Sequence, residues 1–354
     1  MSSSSKIIGV GSYVPDIVAK NEKFNDWQFL NEDGSDIPSS NDVIIEKFKA
    51  ITGIHERRYL EKNLVTSDMA FFAAEKAIAA ANINPEEIDY IIVAHNYGDV
   101  ASGNIQSDTV PSIASRVKHL LKINNPDCVA YDMLFGCPGW LESVIHANSF
   151  IKSGIAKKCL VIGAEALSRV IDKHDRDSMI YSDGAGAVIL SATDEENSGI
   201  IAHQTVTHTK DEAHFIYFGK SNNHEKESPR YIKMYGRKVY NFALTNVPLA
   251  MKRCLEKSGV SISEIKKIFI HQANEKMDEA ICERFYKLFD VAMPQNIMPM
   301  SISKLGNSSV ATIPTLLDLV LKGEIPNHAV TKGDYIIFAS VGAGMNINAV
   351  VYRF

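Results

Sequence analysis

The sequence predicts an α/β protein made of two similar halves, stacked as an α-β-α-β-α five-layered sandwich. Three observations carry that prediction. Strand-like apolar runs alternate with segments whose apolar residues recur at helical spacing. The stretch Glu75–Ala94 (EKAIAAANINPEEIDYIIVA) is echoed by Lys252–His271 (KRCLEKSGVSISEIKKIFIH), half of the 354-residue chain further on, which marks a duplicated unit. Each half ends in consecutive strands, as two sheets with helices between and around them require. The halves are residues 1–200, carrying a candidate nucleophile, and 201–354.

Each copy of the repeat reads helix, turn, strand. The turns are Asn84-Pro85-Glu86-Glu87 and Ser261-Ile262-Ser263-Glu264, and the strands are Tyr90–Ala94 and Ile268–His271. Downstream, Cys137-Pro138-Gly139-Trp140 opens a helix ending near Lys152-Ser153-Gly154, and Asn307-Ser308-Ser309 opens one ending near Lys322-Gly323. Apolar strands follow both helices. They are Cys159–Gly163 with Gly184–Leu190, and Tyr335–Ser340 with Ile347–Tyr352. The polar, turn-rich segments Asp26–Asp42 and Ser221–Pro229 read as surface excursions rather than linkers.

A chain 45% hydrophobic and 22% charged, with formal net charge −5, has the composition of a globular enzyme. It has no concentrated positive field for nucleic acid or an anionic membrane. Apolar runs stop well short of a membrane span, so no membrane insertion is expected. Five cysteines without a C-x-x-C pair suggest neither a disulfide framework nor a zinc site, and a reducing cytoplasm fits them. The start, Met1-Ser2-Ser3-Ser4-Ser5-Lys6, does not read as a secretory leader.

Cys137 lies in Leu134-Phe135-Gly136-Cys137-Pro138-Gly139-Trp140, directly ahead of a helical pattern, with Pro138 at the first-turn position proline favours. A helix N-terminus lowers a thiol's pKa and makes it a nucleophile suited to a thioester. The alternative is a small buried apolar residue, which is how Cys128, Cys159, Cys254 and Cys282 read. His271 closes the strand Ile268-Phe269-Ile270 and emerges at its C-terminal edge, where sites gather in α/β folds; alone, it also reads as a structural histidine. Asn307, in Leu305-Gly306-Asn307-Ser308-Ser309, also reads as a helix cap. The repeat links the three. It sets the Cys137 and Asn307 helices at equivalent positions, so their N-termini meet, with His271 on the neighbouring strand. Gly184-Ala185-Gly186 and Gly342-Ala343-Gly344 do not complete a dinucleotide fingerprint, and read as tight turns where backbone approaches a ligand.

Along the whole chain these residues closely resemble the β-ketoacyl-acyl-carrier-protein synthase III family, the initiating condensing enzymes of fatty-acid synthesis. The marks are Thr52-Gly53-Ile54-His55-Glu56-Arg57-Arg58, the Cys137 elbow, Asp183-Gly184-Ala185-Gly186-Ala187, His271-Gln272-Ala273-Asn274, Gly306-Asn307-Ser308-Ser309 and Gly342-Ala343-Gly344. The resemblance implies the thiolase fold and a Cys137–His271–Asn307 triad. It implies an oxyanion hole from the backbone N–H groups of Cys137 and Ala343, preorganised donors of the kind that speed acyl transfer. His271 and Asn307 would hold the carbonyl of a malonyl thioester, whose loss of CO2 yields an enolate that attacks the acyl-enzyme. No metal or redox cofactor is implied; the substrates are acyl-CoA or acyl-carrier-protein thioesters. A homodimer is implied, each subunit lending a loop, here Thr109-Val110-Pro111, to its partner's pocket. Arg176 would lie near nucleotide phosphates, and Lys276 would meet the acidic surface of acyl carrier protein. Three positions depart from the family's pattern: the Phe-Gly-Cys-Pro-Gly-Trp elbow, Leu305 where histidine often precedes Gly-Asn, and Lys47 and Ile51 where an aromatic and an arginine grip adenine. They leave open a specialised relative joining unusual acyl chains into resorcinol, polyketide or related lipids. A catalytically silent dimeric scaffold is the reading of another class, and the complete triad argues against it.

Overall fold

A computed structural model describes residues 4–224 and 229–354; part of the Ser221–Pro229 excursion, residues 225–228, therefore lies outside the described residues, as do the first three of the N-terminal run. Strand β1 (Ser4–Tyr13) opens the chain, followed by β2 (Ile17–Lys20), helix α1 (Asn41–Thr52) and β3 (Glu56–Tyr59), which pairs with β2. Then come α2 (Thr66–Ala81), β4 (Tyr90–Ala94), α3 (Ile113–Leu120), β5 (Val129–Met133), α4 (Gly139–Lys152), β6 (Lys158–Ala166) and β7 (Asp183–Thr193). The remainder supplies β8 (Gly199–Thr207), the antiparallel pair β9 (Ile216–Gly219) and β10 (Tyr231–Met234), α5 (Gly236–Ser258), β11 (Ile265–Ile270) and α6 (Glu275–Lys287). A single turn α7 (Ile302–Leu305), α8 (Thr312–Leu321), β12 (Tyr335–Gly342) and β13 (Asn346–Arg353) complete it.

Two sheets result, ordered β1-β7-β6-β4-β5 and β11-β12-β13-β8. Helices α2 and α3 cover the outer face of the first, α5 and α6 the outer face of the second, and α4 and α8 lie between them. This is the predicted five-layered sandwich. A helix caught between two sheets must be apolar nearly all round. Helix α8 (TIPTLLDLVL) meets that demand, and its one charged residue, Asp318, is bonded by Ser12 Oγ at 2.5 Å and Lys322 Nζ at 2.7 Å. Trp140 of α4 packs edge-on against Phe338 of β12, with ring centroids 5.9 Å apart, and so joins the halves through the middle layer.

Three expectations need correcting. Gly184-Ala185-Gly186 forms no turn but runs inside β7, where a Cβ on Gly186 would come within 2.7 Å of Pro314 and Thr315; Gly186 lets α8 approach the sheet. Asn307 does not open α8. Ser309 turns the chain at φ 54°, a single 3-10 turn (Ser309–Ala311) follows, and the helix starts at Thr312. The excursions are not simply solvated: Phe29, Leu30, Ser221 and Asn222 are buried. Apolar side chains in the first segment and a polar network in the second pull them onto the fold. In that network buried Lys233 gives Nζ to Asp172 Oδ2 (2.6 Å), Asp175 Oδ2 (3.0 Å) and Asn222 Oδ1 (2.9 Å). A buried ion bonded on three sides is satisfied as such groups must be.

The Thr52–Arg58 motif is scaffolding. Gly53 ends α1 in the left-handed region (φ 73°), and fully buried Arg57 donates to the Met179 carbonyl at 3.0 Å and the Ala19 carbonyl at 2.9 Å.

Candidate active site

Strand β5 ends at Met133, and the chain must reverse into α4 within a few residues. Gly136 makes that reversal at φ 66°, and a Cβ there would lie 2.7 Å from both the N and O of Ala343. Conversely, a Cβ on Gly342 would strike the Cys137 amide nitrogen. The two segments therefore touch backbone to backbone, and only glycine on each side permits it. Cys137 and Ala343, from opposite halves, are thereby held beside one another.

The Cys137 thiol is not an exposed, dipole-activated thiolate. Burial pushes it up to about 11; the Ser309 hydroxyl, which donates to Sγ at 3.4 Å, and its own amide pull the other way, while the charge of Glu165 adds to the rise. This corrects the expectation of a lowered pKa. Desolvating the anion outweighs the field of the helix end. At rest Cys137 is a protonated thiol.

His271 follows β11 directly, and its amide donates to the Ala339 carbonyl of β12 at 2.8 Å, three residues before Gly342. It is 3% exposed, and burial lowers its imidazole from 6.5 to about 4. A neutral ring can donate one N–H to a substrate carbonyl. We therefore expect malonyl decarboxylation to show no break from this imidazole between about pH 5 and 8; a rate rising or falling with a midpoint near 6.5 would contradict the assignment.

Asn307 is tied to the first half on both sides: its N–H donates to the Ile180 carbonyl (2.9 Å) and its carbonyl accepts from the Ser182 N–H (2.8 Å). Its Oδ1 accepts from the Ser309 N–H at 2.8 Å. Engaging Oδ1 there leaves Nδ2 as the donor end for a ligand. Cys137 and Asn307 thus meet through Ser309, a residue that sequence reasoning passed over. Its only signal was its place two positions after Asn307.

A cavity of about 970 Å³ lies between the 30–39 segment, α1, the β10–α5 junction and the start of α6, and Cys137, His271 and Asn307 are not among its lining residues. Its lining includes Ile180, Ala273 and Asn274, near chain or hydrogen-bonded neighbours of Asn307 and His271. Arg176 lines it, and so do Lys47 and Ile51. Lys276 is exposed on the first turn of α6, outside the lining but next to Met277, which is part of it. Val110 is 85% exposed and lies away from this cavity in its own chain. Asp177, in the wall, is pushed up to about 6 by burial with the help of Asp175. Among the described residues no His, Cys, Asp and Glu cluster could hold a metal, and no helix is long and apolar enough to cross a membrane.

Comparison with known proteins places this geometry. Residues 131–209 match the family described as 3-oxoacyl-[acyl-carrier-protein (ACP)] synthase III, and residues 255–354 match its C-terminal part. The beta-ketoacyl-[acyl-carrier-protein] synthase III of Erythrobacter litoralis (strain HTCC2594) is 30% identical over 351 residues, covering 98% of each chain. Beta-ketoacyl-[acyl-carrier-protein] synthase III 1 of Vibrio vulnificus (strain YJ016) is 31% identical over 353 residues, 99% of each. The crystal structure of 3-oxoacyl-[acyl-carrier-protein] synthase III from Aquifex aeolicus VF5 superposes with a TM-score of 0.81 at 31% identity, covering 99% of this chain and 100% of that one.

Proposed function

Because the chain belongs to the 3-oxoacyl-acyl-carrier-protein synthase III family, we propose that it loads an acyl group onto Cys137 and extends it by decarboxylative Claisen condensation with a malonyl thioester. One observation carries the reading: the Cys137 and Ala343 backbones in contact, with Sγ bonded by the Ser309 hydroxyl that follows Asn307. In the first half-reaction Sγ attacks the acyl carbonyl. The Cys137 and Ala343 amides hold the oxyanion, and the donor thiol departs with the cysteine's proton. In the second, the N–H of neutral His271 and Asn307 Nδ2 hold the malonyl thioester carbonyl. The bond to the carboxylate breaks, CO2 leaves, and the electron pair becomes an enolate. Its carbon attacks the acyl-enzyme, and the Cys137 thiolate leaves and is reprotonated. A high resting pKa suits this order, because the anion is needed only while substrate excludes water.

The finer reading is that the priming acyl group arrives on a carrier protein, or on a donor held mainly by its pantetheine arm. Lys47 and Ile51 stand in the cavity wall where an aromatic face stacked by a guanidinium would contribute on the order of 1–2 kcal/mol toward adenine. Lys276, exposed beside the cavity, is the contact for the carrier, and Arg176 the one near the nucleotide phosphates of a coenzyme A donor. We expect kcat/KM for one acyl chain to be higher on carrier protein than on coenzyme A, and Lys276→Glu to lower the carrier reaction. A tenfold preference for coenzyme A, or indifference to Lys276→Glu, would overturn this reading. These two wall residues and the Phe135-Gly136-Cys137-Pro138-Gly139-Trp140 elbow favour a second one, a specialised ketosynthase making resorcinol, polyketide or related lipids; product analysis over a panel of acyl donors separates the two. The reading includes a homodimer, for which the exposed Val110 loop is the contribution to the partner's pocket.

A further inference from the structure

Glu165 is wholly buried near the end of β6, in the otherwise apolar run CLVIGAEA, and makes no ion pair among the described residues. Its Oε2 accepts two hydrogen bonds from one residue, Asn96: from the backbone N–H at 2.9 Å and from Nδ2 at 2.6 Å. Its Oε1 has no partner. The placement follows from the sheet, since Ala94 at the end of β4 lies beside Gly163 of β6 and two further residues bring Asn96 level with Glu165. Asn96 Nδ2 has two protons, and the second goes to Ser309 Oγ at 3.2 Å. The carboxylate fixes which end of the amide faces it, because a flipped Asn96 would set oxygen against oxygen. With one lone pair taken by Asn96, the Ser309 hydroxyl has its single proton free for Cys137 Sγ, 3.4 Å away.

We propose that Glu165 and Asn96 are positioning residues for the nucleophile: they orient the Ser309 hydroxyl so that its proton stays on Cys137 Sγ. The inference rests on the reading of Cys137 as nucleophile. A hydroxyl held on sulfur stabilises the thiolate twice, as it attacks the donor and as it leaves the acyl-enzyme, and this offsets the burial that disfavours it at rest. The titratable groups facing Glu165 are His95 and Tyr97, which follow β4, and Cys137 itself. His95 accepts from the Gly98 N–H at Nδ1 (3.0 Å) and bonds Asp132 through Nε2 (2.9 Å). Burial pushes Glu165 above the ordinary carboxylate range, to about 7, against the pull of His95.

The test measures single-turnover acylation, and the pH profile of Cys137 alkylation by iodoacetamide, in the full-length chain. Glu165→Leu removes the acceptor. It should slow acylation about tenfold, the scale of one hydrogen bond to a charged group; because the charge of Glu165 itself raises the Cys137 pKa, its alkylation midpoint is compared with that of Glu165→Gln, which removes the same charge, and should lie above it. Glu165→Gln, which keeps an acceptor oxygen, should restore acylation to within about threefold. Adding Ser309→Ala to Glu165→Leu should cost nothing further, because both act through one proton. Asn96→Ala, at a half-buried position, should reproduce the loss and the same non-additivity if the leucine variant does not fold. Acylation at the parent rate in a folded Glu165→Leu or Asn96→Ala protein, or losses that add to Ser309→Ala, would overturn the inference. A parent chain that gains no acyl group at Cys137 would instead overturn the nucleophile reading beneath it.

Discussion

Cys137→Ala is expected to fold as the parent does and to make no 3-oxoacyl product, a loss on the order of 10⁴-fold or more, as for other covalent nucleophiles. The change removes one sulfur from a half-buried side chain and leaves the Gly136 turn, the Pro138 start and the Ala343 contact in place. His271 and Asn307 are untouched, so release of CO2 from a malonyl thioester should continue, uncoupled from any acyl acceptor. Chromatography of the product beside a CO2 assay checks both halves of that statement. Condensation surviving in Cys137→Ala, or an acyl adduct mapping to Cys128 or Cys159, would place the nucleophile elsewhere.

Asn307→Ala is expected to lower malonyl decarboxylation by about a hundredfold or more, the scale of removing one preorganised donor to a developing oxyanion, while Cys137 is still acylated. Asn307 has two ends with different work, and a second variant separates them. Its Oδ1 holds the Ser309 N–H at 2.8 Å; Asn307→Asp keeps that bond but replaces the Nδ2 donor with a negative charge where the enolate forms. Asp should therefore acylate at least as well as Ala and decarboxylate no better. If Asp restores decarboxylation, or Ala never lost it, Asn307 serves only the turn into α8.

How much of this was legible in the sequence follows the range of each signal. The layered architecture was, because the duplicated helix-turn-strand unit and the two strand pairs are written in local periodicity. Cys137 and Asn307 could be named as candidates because the duplication sets the segments that carry them at equivalent positions, with His271 on the neighbouring strand. The chemical state of Cys137 was not: a helix start argues for a thiolate, but the thiol sits at about 11 because tertiary packing strips it of water. The Gly184–Gly186 run misled for a related reason. Glycine marks a turn or a close approach with the same letter, and only the position of α8 against β7 decides between them. Asn96 lies just after β4, Glu165 in β6 and Ser309 in the turn before α8, so no local pattern joined them. The one hint was an acid within an apolar strand. Phe29 and Leu30 were hidden by the polar residues around them, and the Lys233–Asp172 pair joins positions 61 residues apart.

The central claim is that one sulfur carries the acyl chain between two separable half-reactions. The most direct measurement is a single-turnover chase followed by intact-protein and peptide mass spectrometry. The account predicts one acyl group per chain on the peptide containing Cys137, stable until a malonyl thioester is added and then discharged as a 3-oxoacyl product with one CO2 per acyl group lost. An unmodified parent protein that still makes product, or an acyl group at Cys137 that malonyl thioester never discharges, would contradict it.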